Sequence, residues 1–191
     1  MQNTSNKILQ AALTLMQEKG YQKVSVKEIA QHAEVSEMTV FRHFKTKMGV
    51  FESAVEKFSY IPCFEEIFTN QIVWDLETDL TLIAKSYLDL MNRNKPIFLI
   101  AIQERSKFPE LNEVIAKNTM KLKGLIVSYF RSMRERNRIQ ETNAEAQAIV
   151  FLTTLYGYFS STSLWKDHFL HEWEESFLVN TIDLFCEALK K

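Results

Sequence analysis

Residues 25–47 read SVKEIAQHAEVSEMTVFRHFKTK, and the spacing of polar residues in this stretch decides the fold. Ser25 stands three residues before Glu28, the form of a capping box. The Ser25 hydroxyl can accept from the backbone N–H of Glu28 while that carboxylate returns to the N–H of Ser25. The pair predicts a short helix from here to about Ala33, with Ile29 and Ala30 turned inward. Ser36 is placed to cap a third helix reaching about His43, and Thr46 a fourth that begins at Lys47. Upstream, Ile8, Leu9, Ala12, Leu13, Leu15 and Met16 recur at helical spacing. They stop before Gly20, a residue suited to the left-handed position beyond a helix end. Helix, tight turn and helix, with small Ala30 where the pair would cross, is the pattern of a helix-turn-helix.

Outward from this unit the predicted helices lengthen. The fourth is expected to run to roughly Tyr60 and stop at Pro62. Residues 63–73 are apolar and expected to be helical. Residues 76–93 carry Leu76, Leu80, Ile83, Ala84, Tyr87, Leu88 and Met91 at the three-to-four spacing of one buried face. Pro96 is expected to open a helix over 97–106, and Pro109 the first turn of a long helix to about Arg136. Two more are expected near 143–164 and 172–189. No run alternates with period two for long, and no internal repeat is visible. The fold class is all-α.

The totals agree. Among 191 residues, 46% are apolar and 14 are Phe, enough for a substantial core, whereas four Gly and three Pro are too few for a many-turned β protein. Cys63 and Cys186 lie far apart in no metal or redox spacing and are expected as reduced thiols. The opening MQNTSNKILQ has no basic stretch leading into an apolar run, and nowhere do about 18 apolar residues run together. These features lead to the expectation of a soluble, cytoplasmic protein. Charge is uneven: residues 1–47 hold seven Lys/Arg against four Glu, a net of +3, so the remainder carries −4 of the overall −1. An anion-binding end on a nearly neutral body is the implication.

The third helix sharpens it. With Val40 and Phe44 inward against Met16 and Ile29, the residues Glu37, Met38, Thr39, Phe41, Arg42 and His43 are left substantially outside. An exposed Phe beside an Arg has no folding benefit on a solvated face. Against a major groove it has a use: Met38 and Thr39 can touch a thymine methyl, Arg42 can fork onto guanine or phosphate, and His43 can donate to phosphate. Lys47, in the first turn of the next helix, is badly placed for the helix dipole, and a phosphate bound there would satisfy both the lysine and the free N–H groups.

The stretch from Lys7 to Ala54 resembles the N-terminal DNA-binding domain of the TetR/AcrR family of transcriptional regulators. The likeness rests on the Ala-Ala-Leu of the first helix, the Gly-Tyr before the second, the Ile-Ala pair, the V-S-x-x-T-V-F-x-H-F recognition helix and the K-x-K pair. It implies a helix-turn-helix domain over 1–47 and a larger helical effector-binding and dimerisation domain over 48–191. Position by position, it implies DNA contacts from Ser25, Lys27, Ser36, Glu37, Met38, Thr39, Phe41, Arg42, His43 and Lys47. Phe41 and His43 would pack against or bind the backbone and Lys47 would hold a phosphate. Two departures stand out. Glu34 occupies a turn position where the family usually has Gly, and Phe41 stands where Tyr is commoner, so a hydroxyl-to-phosphate bond is lost. The expected function is a ligand-responsive repressor, binding a palindromic operator in double-stranded DNA as a homodimer and released by a small effector.

In the body, Ile149, Leu152, Tyr156 and Phe159 mark one face of the helix near 143–164, and Phe151, Leu155 and Tyr158 another. A helix apolar on two sides needs two partners. With Trp173, Phe177, Leu184 and Phe185 of the last helix, the first of these faces is the expected dimer interface. Candidate effector-pocket walls are Phe64, Phe68, Trp74, Tyr87, Phe98 and Phe108, then Met120, Tyr129, Phe130, Phe151 and Tyr156. Their aromatic richness favours a bulky apolar or lipophilic cationic effector over a sugar or nucleotide. The run DHFLHEWEE brings His168, His171, Glu172 and Glu175 within two helical turns. It is read as the acidic opening of the last helix, and neither a metal nor a cofactor is expected. No phosphate loop, nucleophile elbow or Cys–His pairing points to an enzyme. The alternative is a helical ligand carrier or interaction protein without DNA binding, against which the basic third helix argues.

Overall fold

The computed structural model describes residues 4–165 and 169–191, and among them every regular element is helical. Helix α1 (Thr4–Lys19) is followed by α2 (Val26–His32), α3 (Glu37–Phe44) and α4 (Lys47–Lys57). Then come α5 (Ile61–Glu66), α6 (Leu76–Arg93), α7 (Lys95–Glu104) and α8 (Pro109–Glu135). Helices α9 (Ala144–Leu164) and α10 (Glu174–Leu189) close the chain, α10 preceded by a 3-10 turn over Phe169–Trp173.

Local chemistry sets most of these ends. Gly20 sits at φ +86°, where a side chain would be strained, and terminates α1. The Ser25–Glu28 capping box is complete, with Glu28 N–H donating to Ser25 Oγ at 3.1 Å and Ser25 N–H to Glu28 Oε2 at 2.9 Å. Ser36 and Thr46 cap α3 and α4 by accepting from Thr39 and Gly49 N–H at 3.2 and 2.9 Å. One expectation fails. Pro62 does not end α4, which stops at Lys57; it lies in the first turn of α5, where a missing N–H costs no hydrogen bond. The helix then loosens into a π turn over Ile67–Gln71. His168 lies outside the described residues, while Glu174 and Glu175 stand in the first turn of α10.

The chain divides into two compact units. One takes in the sequence up to Ser59 together with Asn94–Lys117; the other takes Tyr60–Arg93 and the sequence from Asn118 onward. In the first, Ile8, Met16, Ile29, Val40, Val50 and Phe51 form a core that also receives Ile100 and Leu111 from α7 and α8. In the second, α6 packs against α9 and α10, and Phe64, Leu80, Ile83, Phe130, Phe151 and Phe159 are fully buried. Cys63 and Cys186 are free thiols.

Candidate nucleic-acid interface

Helix α3 is held from beneath by Val40 and Phe44, one turn apart and both buried, in the same core as Met16 and Ile29. Its seat on α2 is short-range: Val35 N–H donates to Ala30 O at 2.9 Å across the turn, and Ala30 is buried. Glu34 makes that turn at φ +56°, the left-handed region, at a cost on the order of 1 kcal/mol for a residue with a Cβ. What remains outward is the predicted face. Met38 is 75% exposed and Phe41 46%, flanked by exposed Glu37, Arg42 and His43. Thr39 is half-buried, its hydroxyl tied to Ser36 Oγ at 2.9 Å, so the methyl is the freer end. Ser25 and Lys27 are exposed at the start of α2. Among the described residues no hydrogen bond or ion pair engages the side chain of Lys27, Arg42 or Lys45. Lys45, exposed at φ +63° where α3 ends, belongs to the K-x-K pair but is not among the DNA contacts expected from the sequence, although it lies three residues beyond Arg42. Glu28 is held down to about 2 by the Ser25 backbone hydrogen bond first and by Lys19 second, so the cap carries a carboxylate at neutral pH.

Lys47 behaves differently from its expected role. Its ammonium is turned back into the protein and donates to the carbonyls of Tyr21, Gln22 and Val24 at 2.8, 3.3 and 2.9 Å, over the Tyr21 ring at 4.4 Å. All three donors are thereby used by the turn between α1 and α2. Burial lowers its pKa, opposed by the charges of Glu104 and Glu28. Replacing Lys47 with alanine is expected to remove a staple of the fold. Allowing for solvent screening of a partly exposed group, the loss is about 1 kcal/mol, or a fall in Tm of about 2–4 °C. A thermal melt checks this, and an unchanged Tm would give the ammonium back to an open phosphate seat.

The candidate effector residues separate. Phe64, Phe68, Trp74, Tyr129 and Phe130 come together in the second unit as a chain of ring contacts, with centroids between 5.6 and 6.4 Å apart. Trp74 stacks on Tyr129 on one side and carries the Arg136 guanidinium 3.9 Å from its ring centroid. Tyr87 is buried and its hydroxyl is pushed upward in pKa by that burial first, then by Tyr60 and Tyr156. Phe151 pairs with Phe185, edge to face at 5.2 Å, and Tyr156 is 41% exposed. Three candidates are displaced. Phe98 and Phe108 belong to the first unit, Phe108 packing edge-on against Tyr21 at 5.1 Å, and Met120 is exposed. One polar group was missed: Asp79 has no exposed surface, accepting from Tyr129 Oη at 3.0 Å and from Val73 N–H at 2.9 Å. Its only sequence signal is an acid set beside the apolar stripe of α6.

Of the expected pairing residues, Ile149, Trp173 and Leu184 are exposed on α9, before α10 and on α10, while Leu152, Phe159 and Phe185 are consumed in the unit's own core. Phe177 stacks on Tyr158 at 4.2 Å.

Residues 8–54 match the family model of bacterial regulatory proteins, tetR family. Over 189 residues the chain is 31% identical to the uncharacterized HTH-type transcriptional regulator YvkB of Bacillus subtilis (strain 168), covering 99% of this chain and 98% of that protein. Its fold is similar to that of a TetR-family transcriptional regulator from Mesorhizobium loti MAFF303099, with a TM-score of 0.77 and 20% identity over 98% of this chain and 97% of that one. It is also similar to the transcriptional regulator FadR of Bacillus subtilis, solved in complex with stearoyl-CoA, with a TM-score of 0.74 and 19% identity over 92% and 96% of the two chains.

Proposed function

Because the chain belongs to the TetR family of bacterial regulatory proteins, and so is a DNA-binding transcriptional regulator and no enzyme, we propose that it acts as a homodimeric repressor. It occupies a near-palindromic operator in double-stranded DNA and leaves it on binding a small, largely apolar effector. The observation that carries the first part is the outward face of α3: Met38, Phe41 and Arg42 exposed over buried Val40 and Phe44. Apolar side chains next to an unengaged guanidinium suit thymine methyls and guanine edges in a major groove. Ser25, Lys27 and Lys45 add positioning contacts to phosphate.

Pairing is supported by apolar surface on α9 and α10, where Ile149, Val150, Val179 and Leu184 are all about half exposed or more. Twofold pairing would set the two α3 helices on half-sites about 34–36 Å apart or a multiple of it. The effector is assigned to the ring cluster of Phe64, Phe68, Trp74 and Tyr129. A protein of similar fold holds stearoyl-CoA, whose acyl chain is of the apolar class proposed for this body. A few kcal/mol of differential affinity between operator-competent and released states suffices for control. Binding to operator and random duplexes over a salt series tests the reading: log affinity should fall linearly with log salt concentration, with a slope that tracks the phosphate contacts. A protein that ignores duplex DNA even in dilute buffer is a carrier instead. Titration of Trp74 fluorescence with fatty acyl compounds tests the ligand class.

A further inference from the structure

The turn joining α1 to α2 is held at almost every residue, and part of the grip comes from a segment some eighty residues away in sequence. Within the first unit, Gln22 N–H points to Glu104 Oε1 at 3.4 Å and Lys107 Nζ donates to Gln22 Oε1 at 3.2 Å. Phe108 lies edge-on against Tyr21, and Tyr21 in turn against Phe51 of α4 at 6.2 Å. Gly20 is bare for a spatial reason as well as a conformational one: a Cβ there would lie 2.8 Å from Glu104 Oε1. Glu104 itself is 6% exposed, a carboxylate taken into the unit. The same turn gives three carbonyls to Lys47, the residue that opens α4 immediately past α3. The turn, α2, α3 and the start of α4 thus form a closed ring whose last link is Lys47, and Glu104 fastens that ring to α7. A carboxylate facing the turn's amide and an ammonium on its carbonyls pull on the same peptide groups, each strengthening the other's hold.

We propose that Glu104 is a positioning residue for the recognition helix, acting through the Tyr21–Val24 turn and Lys47 to fix how α3 is presented to DNA. It touches no nucleic acid. The inference rests on the assignment of α3 as the DNA-reading element, and its test separates the two ideas. The full-length protein and its Glu104→Gln variant, which keeps the side chain's shape and loses its charge, are compared well below either melting temperature. Amide hydrogen exchange without DNA is expected to quicken in the turn and over residues 37–44 while α1 keeps its protection. On operator DNA the variant is expected to bind about 5-fold more weakly, within the reach of residues that modulate binding without contact, and to lose less on random duplex. Adding Glu104→Gln to Lys47→Met should cost little beyond Lys47→Met alone, because both act on one turn. A buried acid that merely stabilises the fold would lower Tm and leave exchange in α3 and the operator-to-random ratio of the folded protein unchanged. That result overturns the proposal. Altered exchange in α3 together with no DNA binding by the wild type would uphold the positioning and sink the DNA reading instead.

Discussion

Arg42→Ala is expected to lower operator affinity by about 10- to 100-fold and to flatten the preference for operator over random duplex, because one bidentate arginine–guanine pair would carry about 1–3 kcal/mol of discrimination. The magnitude follows from how the side chain is presented. Nothing among the described residues engages the guanidinium, so no internal bond must be broken to deliver it. Its helix is seated by Val40 and Phe44 and capped by Ser36, so little ordering is needed on binding. Thr39→Ala should cost less, since the hydroxyl already serves Ser36 and only a methyl contact is lost. A competition assay with operator and random fragments at fixed salt reads both variants. If each loses equally on the two DNAs, Arg42 and Thr39 are backbone contacts only, and base reading lies elsewhere on the head.

The parts of the molecule legible in the sequence are those fixed by neighbours a few residues apart. Ser25 with Glu28, Ser36 with Thr39 and Thr46 with Gly49 are three-residue interactions, and the helices they begin are found where the spacing places them. Periodicity likewise identified the inward faces of α3 and α6, because an apolar stripe states which side is buried. It does not state against what. Phe108 looks like any other ring in an apolar stretch, yet it packs on Tyr21 in the first unit. The ring cluster of the second is drawn from 64, 68, 74, 129 and 130. Pro62 shows the same limit in miniature, since a proline may not continue a helix but can equally begin one. Lys47 was read from its own helix, where a cation sits poorly. The carbonyls that hold it belong to residues 21–24, and the carboxylate that shares the turn belongs to residue 104. Such contacts leave no periodic trace, and only the folded chain reveals them.

Leu184→Asp tests pairing most severely. Leu184 is 67% exposed within one subunit, so the substitution should change the intrinsic stability of that subunit by no more than about 0.5 kcal/mol, as for most surface positions. At an apolar interface between α9 and α10 of two copies, the same carboxylate would lose its water without gaining a partner, a cost of several kcal/mol that pairing has to bear. Sedimentation should therefore show a monomer at concentrations where the wild type is dimeric. Operator binding should fall further than any single contact could explain. Two heads joined in one dimer would gain about 10²–10⁴-fold over one head by effective concentration, and a monomer would forfeit all of it. Random duplex affinity per head should change little, since each head keeps its own phosphate contacts. The two measurements constrain each other. A variant that stays dimeric moves the interface off this face of α10, and a monomeric variant with undiminished operator affinity would mean that one head alone reads the site.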